Sequence, residues 1–421
     1  MPKLGSLKAA LGFGLLALAQ SLPGTMDAIA APEEADSPLH AITDGKLLFT
    51  LRPRYEHVEQ DGKPNNADAT TMRTLLGWET KPWYGLSARF EAINVGHVFE
   101  QEYNDTRNGK TSFPTVADPD DTDINQIYAD YAGLADTRIR LGKQAIKLDN
   151  VRFVGNVDFR QVMQVFSGLT VSNRTLPNTE LYAAHLWRVK NVFAQQQEIR
   201  FEIAHIDWTW KPGNHLVGYG YFLDQAKTVS TTGLADNSNR VVGVRADGGY
   251  PLSIAWKALY TAEYAKQDPY ANGDARIDAA YEHLGAGLQW KDFFGRVDYE
   301  RLGSNDGKYG FQTPLGTNHP FQGWADQFLT TPPQGIRDWY VSAGVPLWKA
   351  KLYTEYHWFR SDVGSIDYGS EVDFGATLPL RKGLVSKFEL AYFSEGDPLT
   401  PAAARKRDTT KIWLTLVYNF D

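Results

Sequence analysis

The chain has 421 residues and no cysteine, so a disulfide framework, a thiolate metal site and a thiol nucleophile are all excluded. Its net charge of −7 argues against nucleic acid as a partner. Phe, Tyr and Trp make up 13% of residues and charged residues 22%, at a mean hydropathy of −0.39. Many large rings in a polar average suit strands with one apolar and one polar face.

At the N-terminus, Lys3 and Lys8 precede the apolar run AALGFGLLALA (9–19), and Ala28-Ile29-Ala30 supplies a small-x-small cleavage pattern. This predicts a secretory signal peptide over 1–30, since the run is shorter than the ~20 residues of a spanning helix. A short N-terminal segment, 31–44, follows.

From residue 45 to 421 alternation recurs in segments close to the ~9–11 residues that a tilted membrane strand needs. The segments are 46–59, 70–81, 84–98, 123–133, 137–147, 161–175, 179–190, 198–211, 214–226, 238–250, 253–266, 277–290, 293–304, 335–348, 350–361, 367–380, 384–395 and 408–420. In 253–266, Trp256, Ala258, Tyr260, Ala262 and Tyr264 share one face, with Lys257, Thr261 and Glu263 on the other. Short connections such as KPWY (81–84) and LWKA (347–350) alternate with long ones such as 97–122 and 304–334. A sandwich has no reason to alternate in this way. The reading is an all-β chain, a transmembrane antiparallel up-and-down β-barrel of about 18 strands with short periplasmic turns and long extracellular loops.

Four short connections carry Trp beside Lys: Trp83, Trp210, Trp290 and Trp348. They predict an aromatic girdle at the periplasmic interface. The final segment, TTKIWLTLVYNFD, puts Ile412, Leu414, Leu416, Tyr418 and Phe420 on one face. It resembles the C-terminal recognition strand of bacterial outer-membrane barrels, which finishes on an aromatic residue, and departs from it by the trailing Asp421.

Inward positions of these strands are expected to carry Arg52, Arg54, Arg73, Arg89, Arg138, Arg140, Arg200, Arg245 and Arg296. Arg is always charged and grips carboxylates with a planar fork, so such a wall suits an anion path. Later strands bring inward carboxylates: Asp298, Glu300, Asp338, Glu355, Glu371, Asp373 and Glu389. Either a ladder of Arg passes an anionic solute, or the two walls pair across the lumen and hold the barrel in shape. Loop 304–334 concentrates Phe311, Phe321, Trp324 and Phe328. Its length and rings predict a loop folded against or into the barrel mouth, narrowing it or contacting sugar rings.

GFQTPLGTNHPFQGWADQFLTTPPQGIRDWYV (310–341) closely resembles a segment of bacterial alginate export family outer-membrane proteins, and RLGKQAIKLDNVRFVGNVDFRQ (140–161) resembles another. The resemblance implies a porin-like barrel with a positively charged pore for a polyuronate or oligouronate. The barrel reading brings contact with outer-membrane lipid and lipopolysaccharide, insertion by the barrel-assembly machinery, and a monomeric state.

Asp118, Asp120, Asp121 and Asp123 could hold Ca²⁺, but the run lacks the Gly and Glu of an EF-hand loop, and a solvated acidic loop is the plainer reading. Arg405, Lys406 and Arg407 could meet lipopolysaccharide phosphate. The nine His are scattered, with no H-E-x-x-H pair, phosphate loop or nucleophile elbow, so no metal, cofactor or catalytic site is expected. The competing classes are a general small-solute porin and a secreted β-rich polysaccharide-active lyase, for which Tyr281 and His283 would be candidate proton-transfer groups.

Overall fold

A computed structural model describes residues 33–225, 232–397 and 407–420. The proposed signal peptide, Arg405, Lys406 and Asp421 lie outside them. A six-residue helix, α1 (Pro38–Thr43), is capped by Ser37, whose hydroxyl accepts from His40 N. It was not foreseen within the N-terminal segment.

Eighteen strands follow: β1 (Lys46–Gln60), β2 (Ala67–Glu79), β3 (Leu86–His97), β4 (Asp121–Leu134), β5 (Thr137–Gln144), β6 (Val165–Asn173), β7 (Thr179–Lys190), β8 (Gln196–Lys211) and β9 (Asn214–Asp224). The second half is β10 (Asn239–Pro251), β11 (Trp256–Pro269), β12 (Ala279–Trp290), β13 (Phe293–Leu302), β14 (Ile336–Leu347), β15 (Ala350–Arg360), β16 (Asp367–Arg381), β17 (Leu384–Glu395) and β18 (Thr409–Phe420). Each pairs antiparallel with its sequence neighbours, and β1 also pairs with β18, with Phe49 opposite Phe420. This closes the barrel and leaves no open edge, as a bilayer demands.

Polarity is distributed inside out. On β11, Thr261, Glu263 and Gln267 are buried while Trp256 and Tyr264 are exposed. On β18, Lys411, Trp413 and Thr415 are buried while Leu414, Leu416 and Phe420 are exposed. In water such an outer surface would be costly; in hydrocarbon it is at home.

Trp210, Trp290 and Trp348 are exposed at the short-turn end, and Trp83 is half-buried in the turn between β2 and β3. Trp348, 99% exposed, adopts a left-handed backbone at φ 55, which lets a two-residue turn close. A second set, Trp187, Tyr264, Trp339, Trp358 and Tyr392, is exposed toward the opposite ends of its strands. Trp256 and Tyr264 lie eight residues apart, roughly 26 Å along the strand and about 20 Å along the normal at a tilt of ~40°. That spacing approaches the ~25 Å apolar band of an outer-membrane barrel.

Candidate functional site: two loops lodged in the lumen

Two long connections fold inward, 145–164 between β5 and β6 and 303–335 between β13 and β14. Loop 145–164 had no role in the sequence reading beyond its resemblance motif. Its Val154 is 0% exposed, as is Phe311 of the other loop.

The cationic wall holds the first loop by its backbone. Arg52 donates from Nη1 to Asp158 O (2.6 Å), from Nη2 to the carbonyls of Phe159 and Arg160, and from Nε to Gln161 Oε1 (2.9 Å). Arg54 donates to Phe159 O (2.6 Å) and Thr415 Oγ1, with its guanidinium 4.5 Å over the Phe159 ring. Arg73 pairs with Asp158 at 2.8 Å. Burial would raise the Asp158 carboxyl, but Arg73, Arg52 and Lys147 outweigh it and hold the group well below the usual carboxylate range.

Other arginines pair locally. Arg89 meets Glu91 and Glu79, Arg140 grips Asp130 through two bonds (2.6 and 2.8 Å), Arg245 meets Glu263 at 2.8 Å, and Arg296 meets Asp298 at 2.7 Å. Arg138 is exposed near the short-turn end of β5. Arg200 requires a correction: it points outward and pairs with Asp224 at 3.4 Å. On β8 it is Ile199, Phe201 and Ile203 that face in, because this wall packs against an apolar cluster with Phe153, Tyr219 and Tyr221. The phase of the strand is therefore opposite to the one its charges suggest.

The acidic wall holds the second loop. Glu300 pairs with Arg152 of the first loop at 2.9 Å and accepts from Gln322 and from Tyr281 Oη (2.7 Å). Glu371 accepts from Ala325 N at 2.6 Å and Asp373 from Trp324 N at 3.4 Å. Asp338 bonds His357 at 2.9 Å, Glu355 accepts from Tyr353 Oη, and Glu389 is buried within electrostatic reach of Lys387. His283 pairs with Asp298 at 3.0 Å, so both residues named for a lyase are buried wall partners of carboxylates.

Three of the four loop rings are anchors. Phe311 packs against Phe153 and Tyr281, Trp324 stacks on Tyr353 at an interplanar angle of 10°, and Phe328 sits among Phe359, Tyr368 and Phe393. Buried in this way they have no face left for a sugar, contrary to that part of the expectation. Phe321 is half-buried, with the Arg152 guanidinium 4.6 Å over its ring.

Asp326 joins the two loops to the wall. It meets Arg160 (3.0 Å), His319 (2.8 Å) and Lys411 (2.8 Å), and Arg160 also reaches Glu56 at 3.0 Å. His319 stacks on Phe159 with ring centroids 3.4 Å apart. The acidic run 118–123 is divided among separate partners: Asp118 accepts from Gln161 N, Asp120 meets His97, and Lys190 meets both Asp121 and Asp123. Lys143 also meets Asp123 at 2.8 Å, so two lysines offset two of the four carboxylates.

One group of neighbouring charges on this wall is richer in cations than in carboxylates. Arg52, Arg54, Arg73, Lys147 and Lys387 lie within electrostatic reach of Asp158 or of one another, against the carboxylates of Asp118, Asp158 and Glu389. Five cations to three carboxylates leaves an excess beside the half-exposed face of loop 145–164.

The barrel is similar to crystal structures of outer-membrane proteins. It matches OccAB2 of Acinetobacter baumannii at a TM-score of 0.70 with 13% identity, covering 90% of this chain and 100% of that one. It matches OpdK of Pseudomonas aeruginosa, solved with vanillate, at 0.68 with 12% identity over 89% and 98% of the two chains. It matches OpdO of the same organism at 0.66 with 14% identity over 91% and 98%. No curated protein matches. The family model described as alginate export matches residues 49–297, more than half of the chain, and ends before the 310–341 segment. The chain belongs to the alginate export family.

Proposed function

We propose that this outer-membrane channel passes an anionic saccharide of the uronate class along the cationic face of loop 145–164. The observation that carries the proposal is the unbalanced set Arg52, Arg54, Arg73, Lys147 and Lys387. The family adds the chemistry of the solute, because a uronate presents one carboxylate per ring to such a surface. Arg52, Arg54 and Arg73 spend their hydrogen bonds on the loop, so they hold the surface in place and add charge to it. Lys147 is exposed and Lys387 half-buried, and they are the groups placed to meet a passing carboxylate.

The test is ion selectivity of the K147Q/K387Q double variant in a planar bilayer. A unit charge at about 4 Å in water contributes about 1 kcal/mol. Removing the two lysines should therefore lower the anion-to-cation permeability ratio about 5-fold or more, with the loop still anchored by Arg52. An unchanged reversal potential would remove the cationic face from the solute path.

A further inference from the structure

β15 and β16, three to four strands from β1, bring Glu355 and Asp373 of the acidic wall together with His357, to which the sequence reading gave no role. Glu355, His357 and Asp373 are 4%, 2% and 0% exposed, and one ligand atom from each lies within 4.8 Å of the others. His357 Nδ1 bonds Asp338 at 2.9 Å, which directs Nε2 at the remaining two carboxylates. Nε2 stands 3.5 Å from Glu355 Oε2 and 3.6 Å from Asp373 Oδ2 and has no hydrogen-bond partner. These separations exceed those of good N–H···O bonds. They suit donors that share an ion: two ligands about 2.1 Å from one centre at the tetrahedral angle stand about 3.4 Å apart.

Charge points the same way. Asp338, Glu355, Glu371 and Asp373 are all buried around one imidazole, and among the described residues no Lys or Arg pairs with any of them. Glu371 Oε2 and Asp373 Oδ1 meet no N–H or hydroxyl donor, and the two carboxyl groups lie against each other. Uncompensated buried carboxylates are costly, and a cation would offset them. The Asp338–His357 contact has the form that orients a metal-binding imidazole and fixes its tautomer.

We infer that Glu355, His357 and Asp373 form a binding site for one divalent cation of the Zn²⁺ class, with Asp338 orienting the histidine. One imidazole with carboxylates and no sulfur favours Zn²⁺ over Ca²⁺, which prefers an all-oxygen shell. The site lies directly under the second loop, since Asp373 and Glu371 also accept from the backbone of Trp324 and Ala325. A bound ion would thus tie two strands together beneath the inserted segment.

The experiment strips the refolded full chain with chelator, adds Zn²⁺, and measures bound metal and affinity by mass spectrometry and calorimetry. One Zn²⁺ per chain is expected, with at least a 10-fold loss of affinity in H357Q and in D373N. H185Q, whose histidine pairs with Glu202 on the outer face, should bind as the unaltered chain does. No uptake by the unaltered chain above the H357Q level, or affinity in H357Q and D373N equal to that of the unaltered chain, would overturn the site. X-ray absorption of the Zn²⁺-loaded unaltered chain tests it without any variant: one imidazole among oxygen donors is expected, and two or more imidazoles would contradict it.

Discussion

Asp326 shows how a single carboxylate can hold an inserted loop. Burial would raise its pKa, but Lys411, His319 and Arg160 together outweigh that cost and keep the group well below the usual carboxylate range. The folded value lies below the unfolded one, so this stabilisation is complete above about pH 4. It is lost as the pH falls toward the depressed folded value. D326N leaves Arg160 and Lys411, both under 10% exposed, without their shared partner. Breaking a buried pair in this way costs about 3–5 kcal/mol, and limited proteolysis should find loop 303–335 cleaved much faster. An unchanged cleavage rate would contradict the role of Asp326. The inward arginines were legible one residue at a time, because alternation exposes them. What they hold was not: the partners of Arg52 lie more than 100 residues away in a loop without periodicity.

At the scale of elements, strands were read well wherever one face meets lipid and the other meets polar lumen. The seventh segment, 179–190, and the seventeenth, 384–395, agree with the structure to the residue. The sixth begins four residues late, at Val165 instead of 161, because Gln161 through Gln164 belong to the inserted loop. Their run of buried side chains has no period of two. β8 was misphased for a related reason, since an apolar plug inside reverses which face is apolar. The second loop depends on its rings. F328A removes one that is 6% exposed among three aromatics. A buried Phe→Ala change costs about 3–5 kcal/mol, and here the loss should appear as local opening. Amide exchange across 320–335 should rise on the order of 100-fold or more, while the strands keep their protection. Equal loss of protection throughout would show that the loop and barrel open as one unit.

The whole molecule is an inverted protein, apolar outside and charged within, closed by the pairing of its first and last strands. That inversion was legible because period-two alternation with aromatic ends has few other uses over eighteen segments. The closed ladder predicts fast, compact migration of the unheated chain in detergent gels and slower migration after boiling; identical migration would contradict a closed barrel. The net charge of −7 says little about selectivity, because the proposed path runs beside the lysines and arginines facing loop 145–164. The most direct measurement is single-channel recording of the refolded chain, with oligouronate added to one side and a neutral oligosaccharide of equal length as control. Anion-selective steps blocked by the oligouronate and not by the neutral sugar are predicted. Cation-selective steps indifferent to both would contradict a channel for uronates.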